Sequence, residues 1–329
     1  MVSPRCSDIE YINFLIASSQ VFTCTEASQC HPLSEDVPAH DAYTRLLMRQ
    51  PPDTDALWNE VEKSIDRKNG FLVLDDSTLD KPYAKKMALV CRHWSGKHHK
   101  VVKGINLLTL VWTDGCRIIP MDFRLYDFEN DSKTKNDHLQ DMLRIAKCKE
   151  FEPQYVMFDS WYSSIENLKL IRSSDWHWLT RLKKNRLVNP DKKGNVEIDS
   201  LEIPSSGMNV HLKEYGLIRI FCTFSKDGEK NFWATDVLNL DEATFDTISG
   251  YGWKIEEYHR GLKQFCGVER CHCRKNTSQR SHILFSIRAF FRFEWQRIMY
   301  GQSWFDSKRS IIRDSIRDYC ARPRYNIPS

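Results

Sequence analysis

The order of strand and helix signals between Gly70 and Leu182 constrains this chain more than any other feature. Apolar runs rich in β-formers occupy 71–75 (FLVLD), 101–112 (VVKGINLLTLVW) and 117–126 (RIIPMDFRLY), and the TDG at 113–115 joins the last two as a hairpin. A charge-rich stretch follows in which Leu139, Met142, Leu143 and Ile145 make one apolar helical face. Next come a short strand in QYVMFDSWYSS that ends at Asp159, a helix around IENLKLIRS, and a strand at 176–182 (WHWLTRL). Strands alternating with helices after an antiparallel start predict a mixed α/β sheet.

The flanks read differently. Residues 8–68 carry helical periodicity, with Ile12, Leu15 and Ile16, then Leu46 and Leu47, then Leu57, Val61 and Ile65 as successive apolar stripes. Short helices with tight turns suit either a helix-turn-helix unit or a small packing bundle, and the pattern does not choose between them. Residues 183–237 hold turn signals at NPDKKGN and PSSG, with short strands at NVHLKEY, LIRIFCTF and NFWATDV, which predicts an all-β insertion. Helical signals return at 241–248, 253–264 and SQRSHILFSIRAFFRFEWQRIMYG, and an Arg-rich helical tail runs from Lys308 to Arg324. No internal repeat or low-complexity linker interrupts the chain.

At 329 residues the chain is long enough for a substantial core. Lys and Arg total 48 against 44 acids, and this +4 balance is too mild to identify a polyanion ligand without knowing where the charges fall. The eleven cysteines lack the spacing and short length of a disulfide scaffold and read as reduced thiols of a cytoplasmic protein. The N-terminus lacks a signal-peptide pattern, and no apolar stretch is long enough to span a bilayer, so no membrane partner is expected.

Acids then single themselves out. In FLVLDDST, Asp75 and Asp76 close a strongly apolar strand; Asp159 ends another; Glu256 lies in GWKIEEYHRGLKQ. In that last segment Ile255, Tyr258 and Leu262 form a buried stripe, while Glu256, His259, Arg260 and Lys263 form a polar one. Taken singly, an Asx turn and an ordinary helical ion pair explain these residues. Taken together, two Asp at strand ends and a helical Glu are hard oxygen ligands suited to Mg²⁺ or Mn²⁺. A pair of such ions about 3.5–4 Å apart activates an attacking water or 3′-hydroxyl and stabilises the leaving oxygen of a phosphodiester.

LDDST, MFDSWYSSIENLKLI, WLTRLKKNR and WKIEEYHRGLKQ, in this order, resemble the DDE transposases of bacterial insertion sequences, specifically the insertion-sequence-4 group. The resemblance extends to YINFLIAS and FTCTE near the N-terminus and to GVERCHCRKNTSQRSHILFSIRAFFRFE, covering about residues 8–298. It implies a ribonuclease H-like mixed α/β core with an inserted all-β subdomain and an N-terminal helical domain. The corresponding division is a helical DNA-binding domain at 1–69, core at 70–182 and 241–305, β-rich insertion at 183–240 and basic tail at 306–329.

By motif, the resemblance makes Asp76, Asp159 and Glu256 the catalytic, metal-holding acids. Asp76 is preferred over Asp75 because it precedes Ser77 and Thr78, and Glu256 over Glu257 because Lys263 follows it by seven residues. Two Mg²⁺ or Mn²⁺ ions, terminal inverted repeats and target DNA as double-stranded partners, a homodimer on paired ends, a hairpin-forming cut-and-paste route and a cytoplasmic, nucleoid-associated location are implied with it. The chain departs from the family's YxxRxxxExxxxxxK signature at Ser249 and Gly252, where Tyr and Arg are expected; Tyr251 and Lys254 stand two residues away.

Lys254, Arg260 and Lys263 are expected to meet phosphates, as are Lys183, Lys184 and Arg186 in the basic run RLKKNRLVNPDKK. The basic, His-containing stretch at 85–100 reads as a DNA track or a solvated connection. Trp161 and Trp253 are candidates for stacking on a base, or else packing residues. Cys266, Cys271, His272 and Cys273 lack the spacing of a structural zinc site. Two other readings stay open: a catalytically silent, transposon-derived DNA-binding protein, and a metal-dependent nuclease that cuts without joining.

Overall fold

Ser7 starts the first helix with a capping box: its hydroxyl accepts from Glu10 N–H while the Glu10 carboxylate accepts from Ser7 N–H. The computed structural model describes residues 5–32, 37–49, 54–95 and 100–323, in two compact units. One unit comprises Met1–Glu60, Thr78–Ile105 and Tyr258–Ser329; the other comprises Val61–Ser77 and Asn106–Glu257.

In the first unit, helices α1 (Asp8–Ala17), α2 (Cys24–Gln29), α3 (His40–Arg49) and α4 (Asp55–Val61) open the chain. Most of the stripes expected from the sequence are buried, Ile12, Leu15, Leu46, Leu47, Leu57 and Val61 each at most 1% exposed, while Ile16 and Ile65 are only half-buried. The helices α1 and α3, and the last helix, α11 (Trp304–Ala321), pack against α10 (Asn276–Tyr300). Polar links run through this apolar contact. Tyr11 Oη lies 2.9 Å from His282 Nδ1, and Arg288 is shared between Asp8 and Glu60. The tail helix starts at Trp304, capped by Ser303, and its first turns bury Lys308, whose ammonium donates to the carbonyls of Leu15, Ile16, Ser18 and Phe265. Within the basic stretch at 85–100, Cys91–Ser95 is strand β2, paired antiparallel with 100–104; residues 96–99 lie outside the described residues.

The second unit is built on a mixed sheet. Strand β1 (Phe71–Asp80) runs parallel to β5 (Tyr155–Phe158), and β5 parallel to β6 (Trp178–Leu182). Strand β3 (Lys100–Thr113) borders β1 and forms the expected hairpin with β4 (Ile118–Leu125); Asp114 Oδ1 accepts from the Cys116 and Arg117 amides to close the turn. Helices α6 (Lys135–Cys148) and α7 (Ile165–Ser173), with the single turn α5 (Phe128–Asp131), connect the strands.

The β-rich stretch holds a small hairpin, β7 (Leu187–Val188) with β8 (Val196–Glu197), followed by β9 (Met208–Leu212), β10 (Gly216–Phe224) and β11 (Lys230–Thr235). β11 pairs antiparallel with β6, β10 with β11 and β9 with β10, so these three strands extend the central sheet. The reason is physical: β6 would otherwise present an open row of backbone groups. Helix α8 (Glu242–Tyr251) follows, and α9 (Lys254–Phe265) runs from this unit into the first. Ile255, Tyr258 and Leu262 are buried on α9 as expected, but His259, expected on its polar face, is only 5% exposed.

Candidate active site

The acids of FLVLDDST are not at a strand end, as the sequence suggests. β1 continues through them to Asp80, and what stops at Leu74 is its pairing with β5, whose last partner is Phe158. β5 itself ends at that point, while β1 runs on. Asp159 follows immediately, and its Oδ1 accepts the Trp161 amide at 2.8 Å, which caps a short turn at 160–162. Buried Thr180 on β6 donates to the Phe158 carbonyl at 2.9 Å and so holds the end of β5 in place.

Adjacent residues of a strand face opposite ways, and the two aspartates separate accordingly. Asp75, Asp159 and Glu256 line one cavity of ≈ 170 Å³, together with Arg181, Trp233, Ser249, Gly252 and Trp253. A carboxylate oxygen of Asp75 lies within 4.8 Å of one of Glu256. Asp76 instead carries three donors: Asn106 Nδ2 at 2.6 Å and Lys135 Nζ at 2.8 Å to Oδ2, and Tyr162 Oη at 2.6 Å to Oδ1. Tyr162 is itself held through its carbonyl by buried Asn167, which Gln140 and Asn136 anchor.

The electrostatics follow from this split. Burial, reinforced by Asp76, Asp159 and Glu256, pushes the Asp75 carboxyl well above the usual range. Asp159 is also raised, by burial first and by Asp76, while the Trp161 amide and Arg181 oppose the shift. Burial alone would raise Asp76 too, but Lys135 together with the Tyr162 and Asn106 hydrogen bonds holds it below the usual value. Crowded carboxylates repel one another, a cost that a bound cation relieves, and an all-oxygen donor set suits Mg²⁺ or Mn²⁺.

Other residues singled out in the sequence fall as follows. Trp161 and Trp253 are 59% and 54% exposed. Lys254 is paired with Glu257 at 3.0 Å. Lys183, Lys184 and Arg186 form the turn after β6. Arg260 and Lys263 belong to the first unit, where Lys263 Nζ donates to the Thr78 carbonyl at 2.6 Å and sits 3.3 Å from Glu269. Tyr251, which stands near the expected signature Tyr, packs on Phe71 with ring centroids 4.9 Å apart. Gly252, at the expected Arg, lines the acidic cavity, and a Cβ there would lie 3.3 Å from Met157 Cε.

Sequence reasoning placed Arg181 at the head of a basic run without singling it out, and missed Lys135. Arg181 reaches the acidic cavity from β6, its guanidinium 5.0 Å from the centre of the Trp233 ring. The available signal was a base inside the strand WLTRL that also opens the basic run RLKKNR. Lys135 carried no comparable signal, because only the fold brings the start of α6 beside β1.

The sequence matches the family described as "Transposase DDE domain" over residues 66–291. Among solved structures, the piggyBac transposase synaptic complex with hairpin DNA resembles it with a TM-score of 0.51 at 11% identity, covering 99% of this chain and 76% of that one. The Mos1 transposase paired-end complex aligns with a TM-score of only 0.21 at 10% identity, over 94% of this chain and 80% of that one. No curated protein sequence matches the chain.

Proposed function

The chain belongs to the transposase DDE-domain family, and from that premise we propose that it excises and inserts an insertion sequence by metal-assisted cleavage and joining of DNA. The observation that carries this reading is the convergence of Asp75, Asp159 and Glu256 on one cavity, with Asp76 beside them. The finer assignment is a ribonuclease H-like core of the insertion-sequence-4 group, acting in the cytoplasm at the nucleoid as a homodimer on paired terminal repeats. Among the described residues no helix is long and apolar enough to cross a membrane.

Asp75, Asp159 and Glu256 would hold the metal ions; Asp76, the acid the family motif favours, would join them only by giving up part of its bonding to Lys135, Tyr162 and Asn106. When bound, two Mg²⁺ or Mn²⁺ ions supply Lewis-acid activation of the attacking oxygen and charge neutralisation at the leaving one. The residues themselves do the positioning. Lys135, Tyr162 and Asn106 fix Asp76; the Trp161 amide fixes Asp159; Arg181 presents a planar guanidinium to the cavity, suited to two oxygens of one phosphate. With Gly252 in the place of the signature Arg, Arg181 is the arginine lining this cavity.

A second reading, a DNA-binding protein that no longer cuts, draws on Ser249 and Gly252, which line the cavity in place of Tyr and Arg. The deciding experiment offers the terminal inverted repeats of the element to the protein with Mg²⁺ or Mn²⁺ and compares it with Asp159→Ala. Cleavage and joined products that vanish in the variant support the transposase. Cleavage without joining indicates a nuclease, and binding without cleavage by either protein indicates the silent form.

A further inference from the structure

A second concavity, sharing no lining residue with the acidic one, opens on the same unit. It is a groove of ≈ 500 Å³ lined by Ser160, Trp161, Ser163 and Ser164, by Lys183, Asn185, Arg186 and Leu187 after β6, and by Leu212 at the end of β9 with Lys213 and Glu214 in the turn that follows. It begins one residue after Asp159. Three cations, Lys183, Arg186 and Lys213, line it against one acid, Glu214. None of the three side chains makes a hydrogen bond or ion pair with a described residue. Burial pulls Arg186 below its ordinary value, with Glu166 opposing. A half-buried guanidinium without a bonded counterion is costly in the free protein, and an anionic ligand removes that cost.

The groove also has an aromatic wall. Lys183 Nζ sits 5.2 Å from the centre of the exposed Trp161 ring. Three unpaired cations, hydroxyl groups and an accessible indole match a sugar–phosphate chain: phosphate for the cations, sugar or base for the ring.

We infer that this groove seats the backbone of a DNA strand beside the one that reacts, with a phosphodiester held among Lys183, Arg186 and Lys213 and the adjoining sugar or base against Trp161. The inference rests on the proposed action on DNA and adds to it a subsite built partly from the β9–β10 turn. Lys213 lay outside the basic run apparent in the sequence; Lys184, inside that run, does not line the groove.

The test uses the full chain and a labelled duplex of the element's end, with affinity measured across a salt series. Arg186→Gln with Lys213→Gln is expected to lower the slope of log K against log salt by about one to two, and affinity by roughly tenfold or more. Lys213→Gln alone, on an exposed turn, repeats the measurement with less demand on folding; Lys226→Gln, outside the groove, serves as the control. Unchanged slope and affinity in both groove variants would overturn the inference. So would loss of the slope in Lys226→Gln to the same extent. Inorganic phosphate that raises the melting temperature in a groove-dependent way, without any change in duplex binding, would make this a free-anion site and overturn the DNA assignment. Asp159→Asn separates the two proposals: if the native protein binds the duplex but neither form cuts, the transposase reading fails while the groove is still judged by its own slope. Absence of duplex binding by the native protein overturns both.

Discussion

Replacing each of the adjacent aspartates by asparagine should change stability in opposite directions. Asp75 sits among like charges, the nearest Glu256 oxygen within 4.8 Å. Two full charges at that distance repel by roughly 3.5 kcal/mol at an effective dielectric of about 20. Glu256 is exposed, so solvent screening reduces the relief on removing one charge to about 1 kcal/mol. Asp75→Asn should therefore raise the melting midpoint by roughly 2–4 °C in a chelator at pH 8. Asp76→Asn removes the anion that Lys135, Tyr162 and Asn106 all address; charge-assisted hydrogen bonds of this kind contribute about 1.5–3 kcal/mol, so the midpoint should fall by several degrees.

The pH dependence has a definite sign for each. The folded-state value of Asp75 is raised above its unfolded value near 3.8, so its cost is present when ionised and disappears as pH falls through the raised value. The folded-state value of Asp76 is depressed, so its contribution is present above 3.8 and is lost as pH falls through the lower value. Both differences from the native protein should thus shrink on acidification, the Asp75 difference first. Thermal melts followed by circular dichroism from pH 8 to pH 2 measure this, the Asp76 difference shrinking only below 3.8. Two variants shifting in the same direction at pH 8 would refute the assignment of the two side chains to opposite environments.

Arg181→Lys keeps the charge but loses the planar fork; DNA cleavage should slow by roughly 10²-fold with a smaller change in duplex affinity, read by single-turnover kinetics and anisotropy. Arg288→Met leaves Asp8 and Glu60 without their shared, nearly buried cation and should cost about 3 kcal/mol in urea unfolding, although Arg292 still reaches Glu60. Lys308, desolvated among backbone carbonyls, is pulled from 10.5 down to about 8. The unfolded chain binds the extra proton between those values, so native stability should rise relative to Lys308→Met as pH increases from 8 toward 10, by about 3 kcal/mol at most; a flat difference would count against a buried ammonium.

The sequence by itself determined the order of the elements and the residues that close them. The apolar, β-former-rich runs became β1, β3 and β4; the stripe of Ile255, Tyr258 and Leu262 became the buried side of α9; and the TDG made the hairpin turn, because these are local consequences of composition, spacing and backbone geometry. It also named acids that meet, Asp159 and Glu256, since both stand in recognisable segments. Only the tertiary structure gave Asp75 and Asp76 different surroundings, the first lining the acidic cavity and the second bonded to Lys135, Tyr162 and Asn106. Neighbours on a strand point to opposite faces, and which face holds the cavity depends on which helix covers it and on where β5 stops pairing, neither of which is written in FLVLDDST. The same holds for Arg181, Lys135 and Lys213. Each is one ordinary base in sequence, and acquires its setting from strands and turns distant in the chain, as does the joining of β9–β11 to the central sheet, driven by the open edge of β6.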